Sequence, residues 1–244
     1  ETQPASTLID SIVDELDGYF NEAFGDYTRI DYGTGHELTF LCFVLVLVEL
    51  RVLRRSDYTA IVLRIFNEYI LLMRKIQVRY ALEPAGTRGS WGLDDYQFLT
   101  FYFGAAQLME HPVITPKDIL NKDVLKQSAG EYMYLSSIQF ILEMKSGPFH
   151  EHSPLLNDIT AVPLWAKVKS GLLKMYQDDV LKKLPVVQHF LFGSILTIDL
   201  PPIDKDAESG DSEKAEILKR KQALIAKLNA KNPKFTAESG DGGN

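Results

Sequence analysis

The chain has 244 residues, 45% of them hydrophobic, a formal net charge of -7 and one cysteine. That is ample apolar material for a packed core, in one large domain or two small ones, and the acidic balance excludes nucleic acid as the main partner, because affinity for the phosphate backbone needs clustered Lys and Arg. Cys42 stands alone in an apolar run, so an internal disulfide is excluded and a reducing compartment, cytoplasmic and also nuclear, is expected.

Glu1-Thr2-Gln3-Pro4 carries neither an initiator Met nor the basic and apolar regions of a signal peptide, which reads as the start of a fragment. Residues 6–20 space Leu8, Ile9, Ile12, Val13, Leu16 and Phe20 by threes and fours, with Asp10, Asp14, Glu15 and Asp17 between them, and predict an amphipathic helix. A polar, glycine-containing loop over 25–35 leads into an apolar helix over about 36–53. Its most apolar stretch, 38–48, lies between Glu37 and Glu49 and falls short of the roughly 20 residues a bilayer span needs, so a buried helix and no membrane partner are expected.

Asp57 is the predicted N-cap of a third helix, with Ile61, Ile65, Tyr69, Leu72 and Ile76 as its apolar stripe and Arg64, Arg74, Lys75 and Arg79 facing outward. That helix should end before Pro84. A second loop over 83–94 holds Pro84, Gly86, Gly89 and Gly92, and an apolar helix over about 95–110 follows, stopped by His111-Pro112. Residues 118–126 read as a short helix and 130–145 as a longer one, ended by Gly147-Pro148. A third loop, 149–163, shows little periodicity; helical spacing resumes over 164–181 through Val168, Leu172, Met175 and Tyr176. No strand pattern of useful length occurs, so the expected fold class is all-α, one helical domain over 1–198 with long functional loops. Residues 199–244 are acidic and serine-rich, repeat Ala-Glu-Ser-Gly-Asp at 207–211 and 237–241, and read as a disordered tail. Within it, 212–229 could form a short helix, with Ile217, Leu218, Leu224, Ile225 and Leu228 along one side.

Three loops carry residues suited to chemistry. In 28–37, Gly33 and Gly35 permit close backbone approach, the following helix N-terminus offers free N–H groups, and Arg29 can pair with phosphate oxygens. A docked nucleotide phosphate and a plain helix-entry turn both fit. In 83–95, the adjacent carboxylates Asp94 and Asp95 suit either a magnesium ion or the N-cap of the next helix, and one group can do both. Trp91, set between glycines, is either an inward anchor or a grip for a peptide. His150-Glu151-His152 lacks the helical i, i+4 histidine spacing of a zinc protease, so a zinc reading is rejected. His189, in the mixed stretch 183–190, reads on its own as a structural histidine.

Taken in order, these segments resemble the phosphotyrosyl phosphatase activator family. Residues 28–37 are similar to its signature TRIDYGTGHE, 91–97 to WGLDD(F/Y)Q, and 144–149 to MK(S/T)GPF; 161–163 and 185–190 also match, so the resemblance covers about 10–195. It implies an all-helical fold with a nucleotide pocket beside a peptide groove. By that resemblance Arg29, Thr34, Gly35, Gln188 and His189 would contact ATP, Gly89 and Asp95 would hold magnesium, and Trp91, Glu151, Val162, Gly171 and Met175 would form the surface for the phosphatase and for proline peptides. The implied function is activation of the type 2A serine/threonine phosphatase, through its catalytic subunit with the scaffold subunit, together with peptidyl-prolyl cis-trans isomerisation. The alternative is a non-enzymatic, ATP-dependent activation chaperone. Ser90, Thr100 and His150 depart from the family pattern and bear on the shape of the peptide groove; family chains also carry a further N-terminal stretch.

Overall fold

The computed structural model describes residues 5–86, 92–183, 186 and 190–197, with side chains from residue 11 onward. The predicted tail and its helix over 212–229 lie outside these residues. The fold is all-α, as expected. It opens with α1 (Ala5–Glu22) against α2 (Thr34–Glu49), and continues through α3 (Tyr58–Ala60) and α4 (Asn67–Tyr80) to α5 (Leu99–Leu108). Then come α6 (Lys122–Ser128), α7 (Met133–Met144), the short α8 (Phe149–His152) and α9 (Pro154–Ile159), and α10 (Trp165–Tyr176). Among the described residues no helix is long and apolar enough to cross a membrane.

The centre of the core is α5, which packs against both α7 and α10. Gly104 makes this possible: a Cβ there would stand 2.7 Å from Tyr134 Cα, so the two helices meet backbone to backbone. Tyr134 packs edge-on against Phe101 and Trp165, at 5.2 and 5.0 Å between ring centres, and the Trp165 indole N–H donates to the Ile114 carbonyl at 2.9 Å.

Several predicted features differ. The stripe expected on the third helix holds at Ile61 and Tyr69, but Ile65 and Leu72 are exposed and Arg74 is buried rather than outward. The reason is a π-helical stretch, Ile61–Phe66, between α3 and α4. Its wider turn absorbs an extra residue and rotates everything after it, so the buried face becomes Phe66, Tyr69, Ile70, Met73, Arg74 and Gln77. Asp57 stands at the N-cap position of α3, as expected, but its side chain does not cap that helix; it closes the preceding 3₁₀ turn, Arg55–Asp57, by accepting from the Arg54 amide at 2.8 Å. On α1, Val13 and Phe20 are exposed while Glu15 is buried, because its carboxylate receives the Ser194 hydroxyl and the amides of Ser194, Ile195 and Leu196.

The helix expected over 118–126 begins later: Asn121 caps α6 by accepting from the Asp123 amide at 2.9 Å, and Asp118 belongs to a preceding 3₁₀ turn. The third loop is largely helical, since α8 and α9 occupy 149–152 and 154–159 with Pro154 at the first turn of α9. Asp95 does not start a helix. α5 begins four residues on, at Leu99, for a reason found at the candidate site.

Candidate functional site

The first loop is a closed clamp. Asp26 accepts from the amides of Thr28 and Arg29 at 2.8 and 2.9 Å and exchanges backbone hydrogen bonds with Asp31. Arg29 then bridges the two acids, with Nε and Nη2 on Asp31 at 2.8 and 3.1 Å and Nη1 2.6 Å from Asp26. Ile30 sits at φ 53°, a left-handed conformation that a β-branched residue rarely holds, so the loop is fixed by its contacts against local preference. From here β1 (Asp31–Tyr32) pairs in parallel with β2 (Glu83–Pro84), a two-residue contact the sequence pattern did not show. Gly33 is required by proximity: a Cβ there would meet the Ala85 carbonyl oxygen at 2.9 Å. The first and second loops are therefore stitched together backbone to backbone.

The second stitch is Glu37. Fully buried one turn into α2, its Oε2 accepts from the amides of Phe98 and Leu99, both at 3.0 Å. These are free donors at the start of α5, normally met by a local cap. Here the cap comes from another helix, which is why α5 starts at Leu99. Meanwhile Asp94 Oδ2 holds the amides of Tyr96 and Gln97 in a turn at 3.1 and 3.0 Å. Burial pushes the Glu37 carboxyl up to about 8, against the pull of the amides it accepts from, and Asp94 adds like-charge repulsion. His36, beside it, is also buried: Nδ1 donates to the Glu22 carbonyl at 2.6 Å, tying α1 to the loop.

Across the junction, Arg74 lies buried with Nη1 on Ser136 Oγ at 2.8 Å, Nη2 on Ser137 Oγ at 2.7 Å, and its guanidinium 5.1 Å from the centre of the Phe140 ring. Burial lowers it to about 10, offset in part by Asp94. Ser137 also pairs with Thr100 Oγ1 at 2.9 Å, which gives the departure at Thr100 a packing role. Five polar atoms around this junction are buried without a protein partner: Glu37 Oε1, Arg74 Nε, both amide atoms of Gln77, and Gln97 Nε2. So dense a set of unmet groups is unusual in a folded interior.

The predicted site residues divide between these features. Arg29, Thr34 and Gly35 lie together, with Arg29 held by its two acids; Thr34 and Gly35 form the first residues of α2, ahead of the first amides that bond back to the Gly33 carbonyl, those of His36 and Glu37. Among the described residues a Cβ on Gly35 would meet only Val186 Cγ1, at 3.8 Å, so the α2 N-terminus lies near Val186. Asp95 pairs with Lys145 Nζ at 2.6 Å. Glu151 is exposed on α8 beside His150, Val162 is half-buried just beyond α9, and Gly171 and Met175 are one turn apart on α10. Gly89, Trp91, Gln188 and His189 lie outside the described residues. Among the described residues, no group of three or more His, Cys, Asp or Glu gathers as a metal-ligand set.

Sequence reasoning missed Glu37, Arg74, Gln77 and Gln97 as site residues. Glu37 had a local signal, an acid in the first turn of a strongly apolar helix, but its partners lie 61 and 62 residues away. For Arg74 and Gln77 the π-helical shift removed the signal.

The profile of the family described as "Phosphotyrosyl phosphate activator (PTPA) protein" matches residues 2–198. Serine/threonine-protein phosphatase 2A activator 2 of Candida albicans is 45% identical over 218 residues, 86% of this chain and 61% of that protein. The probable serine/threonine-protein phosphatase 2A activator 2 of Dictyostelium discoideum is 47% identical over 214 residues, 86% of this chain and 46% of that protein. The chain thus spans between about half and three-fifths of the length of these relatives. The crystal structure of the PP2A phosphatase activator Ypa1 PTPA1 superposes with a TM-score of 0.67 at 41% identity, covering 76% of this chain and 60% of that one. With the profile spanning nearly all of the helical region, this chain belongs to the phosphotyrosyl phosphate activator (PTPA) family.

Proposed function

We propose that the chain acts on the type 2A serine/threonine phosphatase as an activator, and that it does so as a peptidyl-prolyl cis-trans isomerase using ATP and magnesium. The observation that carries this reading is the family match over residues 2–198, together with relatives named as activators of that phosphatase. The phosphatase catalytic subunit, with its scaffold subunit, and a proline-containing peptide are the proposed partners.

The first loop fits an anion. Thr34 and Gly35 present amides at the start of a 16-residue helix, and Gly35 leaves room for a close approach, whereas Gly33 is taken up by Ala85. Arg29, Thr34 and Gly35 would hold the phosphates of ATP, with Gln188 and His189 completing the pocket and Gly89 and Asp95 serving the magnesium. Arg29 is shared between Asp26 and Asp31, which leaves one carboxylate charge unbalanced there, so a cation bound with the nucleotide would have to supply the positive charge the phosphates need. The loops that carry the two halves are held in register by the β1–β2 pair and by Glu37.

Isomerisation needs no nucleophile. Rotation about an X-Pro bond crosses a barrier of roughly 20 kcal/mol as the amide loses conjugation, and a site lowers it by binding the twisted amide better than either planar form. Trp91, Val162 and Met175 would supply an apolar wall, Gly171 a flat approach on α10, and Glu151 a carboxylate in solvent that orients the peptide.

The test mixes this chain with inactive phosphatase catalytic subunit, ATP and magnesium, and follows phosphopeptide hydrolysis, with the Candida albicans relative as positive control. A rise in activity is expected. No rise, with the control active, overturns the reading for this chain. Trp91→Ala and Glu151→Ala proteins should lose both activation and isomerisation of a proline peptide; retention of both activities would remove these residues from the site. Loss of isomerisation with activation intact would favour the binding-module reading, in which the chain only holds the phosphatase.

A further inference from the structure

A cavity of about 320 Å³ opens between α4, α7 and the turn that precedes α5. Its apolar walls include Leu82, Phe140 and Ile141, and its polar lining includes Gln77, Gln97 and Asp94. The size suits a small molecule of one ring or a short branched chain. Gln77 and Gln97 are each at least nine-tenths buried, at 5% and 4% exposure, yet Gln77 Oε1, Gln77 Nε2 and Gln97 Nε2 have no protein partner. Both residues line the cavity. The terminal torsion of a glutamine is broad and soft, so a turn of the carboxamide brings these atoms to a ligand without moving backbone.

The charge pattern selects among ligands. Lys145 at the mouth is committed to Asp95 at 2.6 Å, and Asp94 spends Oδ2 on two backbone amides. A carboxylate would therefore enter facing Asp94 with no free cation among the described lining residues. An amidinium would find acceptors at Asp94, Glu83 and Gln77 Oε1, but having only donors it would leave the two unmet glutamine Nε2 groups without an acceptor. A carboxamide matches both: its carbonyl accepts from Gln77 or Gln97 Nε2, and its NH₂ donates to Gln77 Oε1 or to Asp94. Its apolar body covers the walls.

We propose that this cavity is a binding site for a small neutral carboxamide on an apolar body, read by Gln77 and Gln97. The lining residues are not among those assigned to nucleotide and peptide, but the site adjoins the proposed magnesium residue, because Asp95 follows Asp94 and pairs with Lys145; the probes are therefore used without nucleotide or magnesium.

Benzamide, benzoate and benzamidine share one shape and differ in charge, which makes them the probes. Each is titrated into ¹⁵N-labelled whole chain, and the side-chain amide resonances of Gln77 and Gln97 are followed. Benzamide should shift both resonances with Kd of about 1 mM or tighter, and the two charged analogues should bind at least about tenfold more weakly. In Gln77→Met, of similar length and apolar, benzamide affinity should fall about tenfold. No shift up to the solubility limit of benzamide overturns the site. Equal or tighter binding of benzamidine would make it a cation site on Asp94 and overturn the assignment, as would unchanged benzamide affinity in Gln77→Met. Should that variant fail to fold, the order of the three probes on the unaltered chain decides.

Discussion

Two parts of this molecule are equally buried and built on opposite terms. Where α5 meets α7 and α10, the contact is apolar and close, with Gly104 against Tyr134 and three aromatic rings edge to face. Where α2 and α4 meet the turn before α5, the interior holds a glutamate, an arginine, two glutamines and a hydroxyl network, several without partners. The first part is governed by volume, the second by charge and hydrogen bonding. A packed core tolerates little change in shape; a polar junction tolerates shape better and is exposed to pH, ions and ligands. The proposed nucleotide and metal loops hang from the second part.

The largest effect that would break this contrast is expected at Gly104. Alanine gains about 1 kcal/mol in helix propensity, but its methyl would be driven into Tyr134 backbone atoms, and overpacking of that kind costs about 3 kcal/mol. Gly104→Ala should therefore be destabilised in urea unfolding, net by about 2 kcal/mol; an unchanged midpoint would show that α5 and α7 are not in contact as described.

At the junction the test is pH. Glu37 is raised from the ordinary 4.5 to about 8, so between those values the folded protein keeps a proton that the unfolded chain has lost. The wild type should lose stability as pH rises through that window, by up to ~1.4 kcal/mol per pH unit from this group. Glu37→Gln keeps an acceptor for Phe98 and Leu99 and cannot ionise. Its stability relative to wild type should improve from pH 5 to pH 8, and parallel pH profiles for the two proteins would refute the assignment. The smallest effect is expected at the rim, where Asp95 and Lys145 are both partly exposed. Asp95→Asn should cost under about 1 kcal/mol, so a large loss of phosphatase activation in that variant would report on function and not on folding.

Helix content and the main loops were legible in the sequence because periodicity and Gly/Pro breaks are local signals. The stretch 28–37 also stood out as a candidate through Gly33, Gly35 and Arg29. What was illegible is the set of relations that bring distant residues together. Nothing around Leu99 says that its cap comes from Glu37, and nothing around Ala85 says that Tyr32 and Gly33 will lie against it. The stretch 149–163 misled for a different reason: prolines and histidines hide helices only four and six residues long, whose stability comes from docking and not from pattern.

The π-helical stretch Ile61–Phe66 carries a consequence for how this chain can vary. Removing one residue there would restore ordinary α geometry and turn all of α4 by about 100° about its axis. Arg74 and Gln77 would swing away from Ser137 and Gln97 together, while the helix itself stayed intact. Length at this point is therefore a setting of angle, and the polar junction is tuned to one value of it.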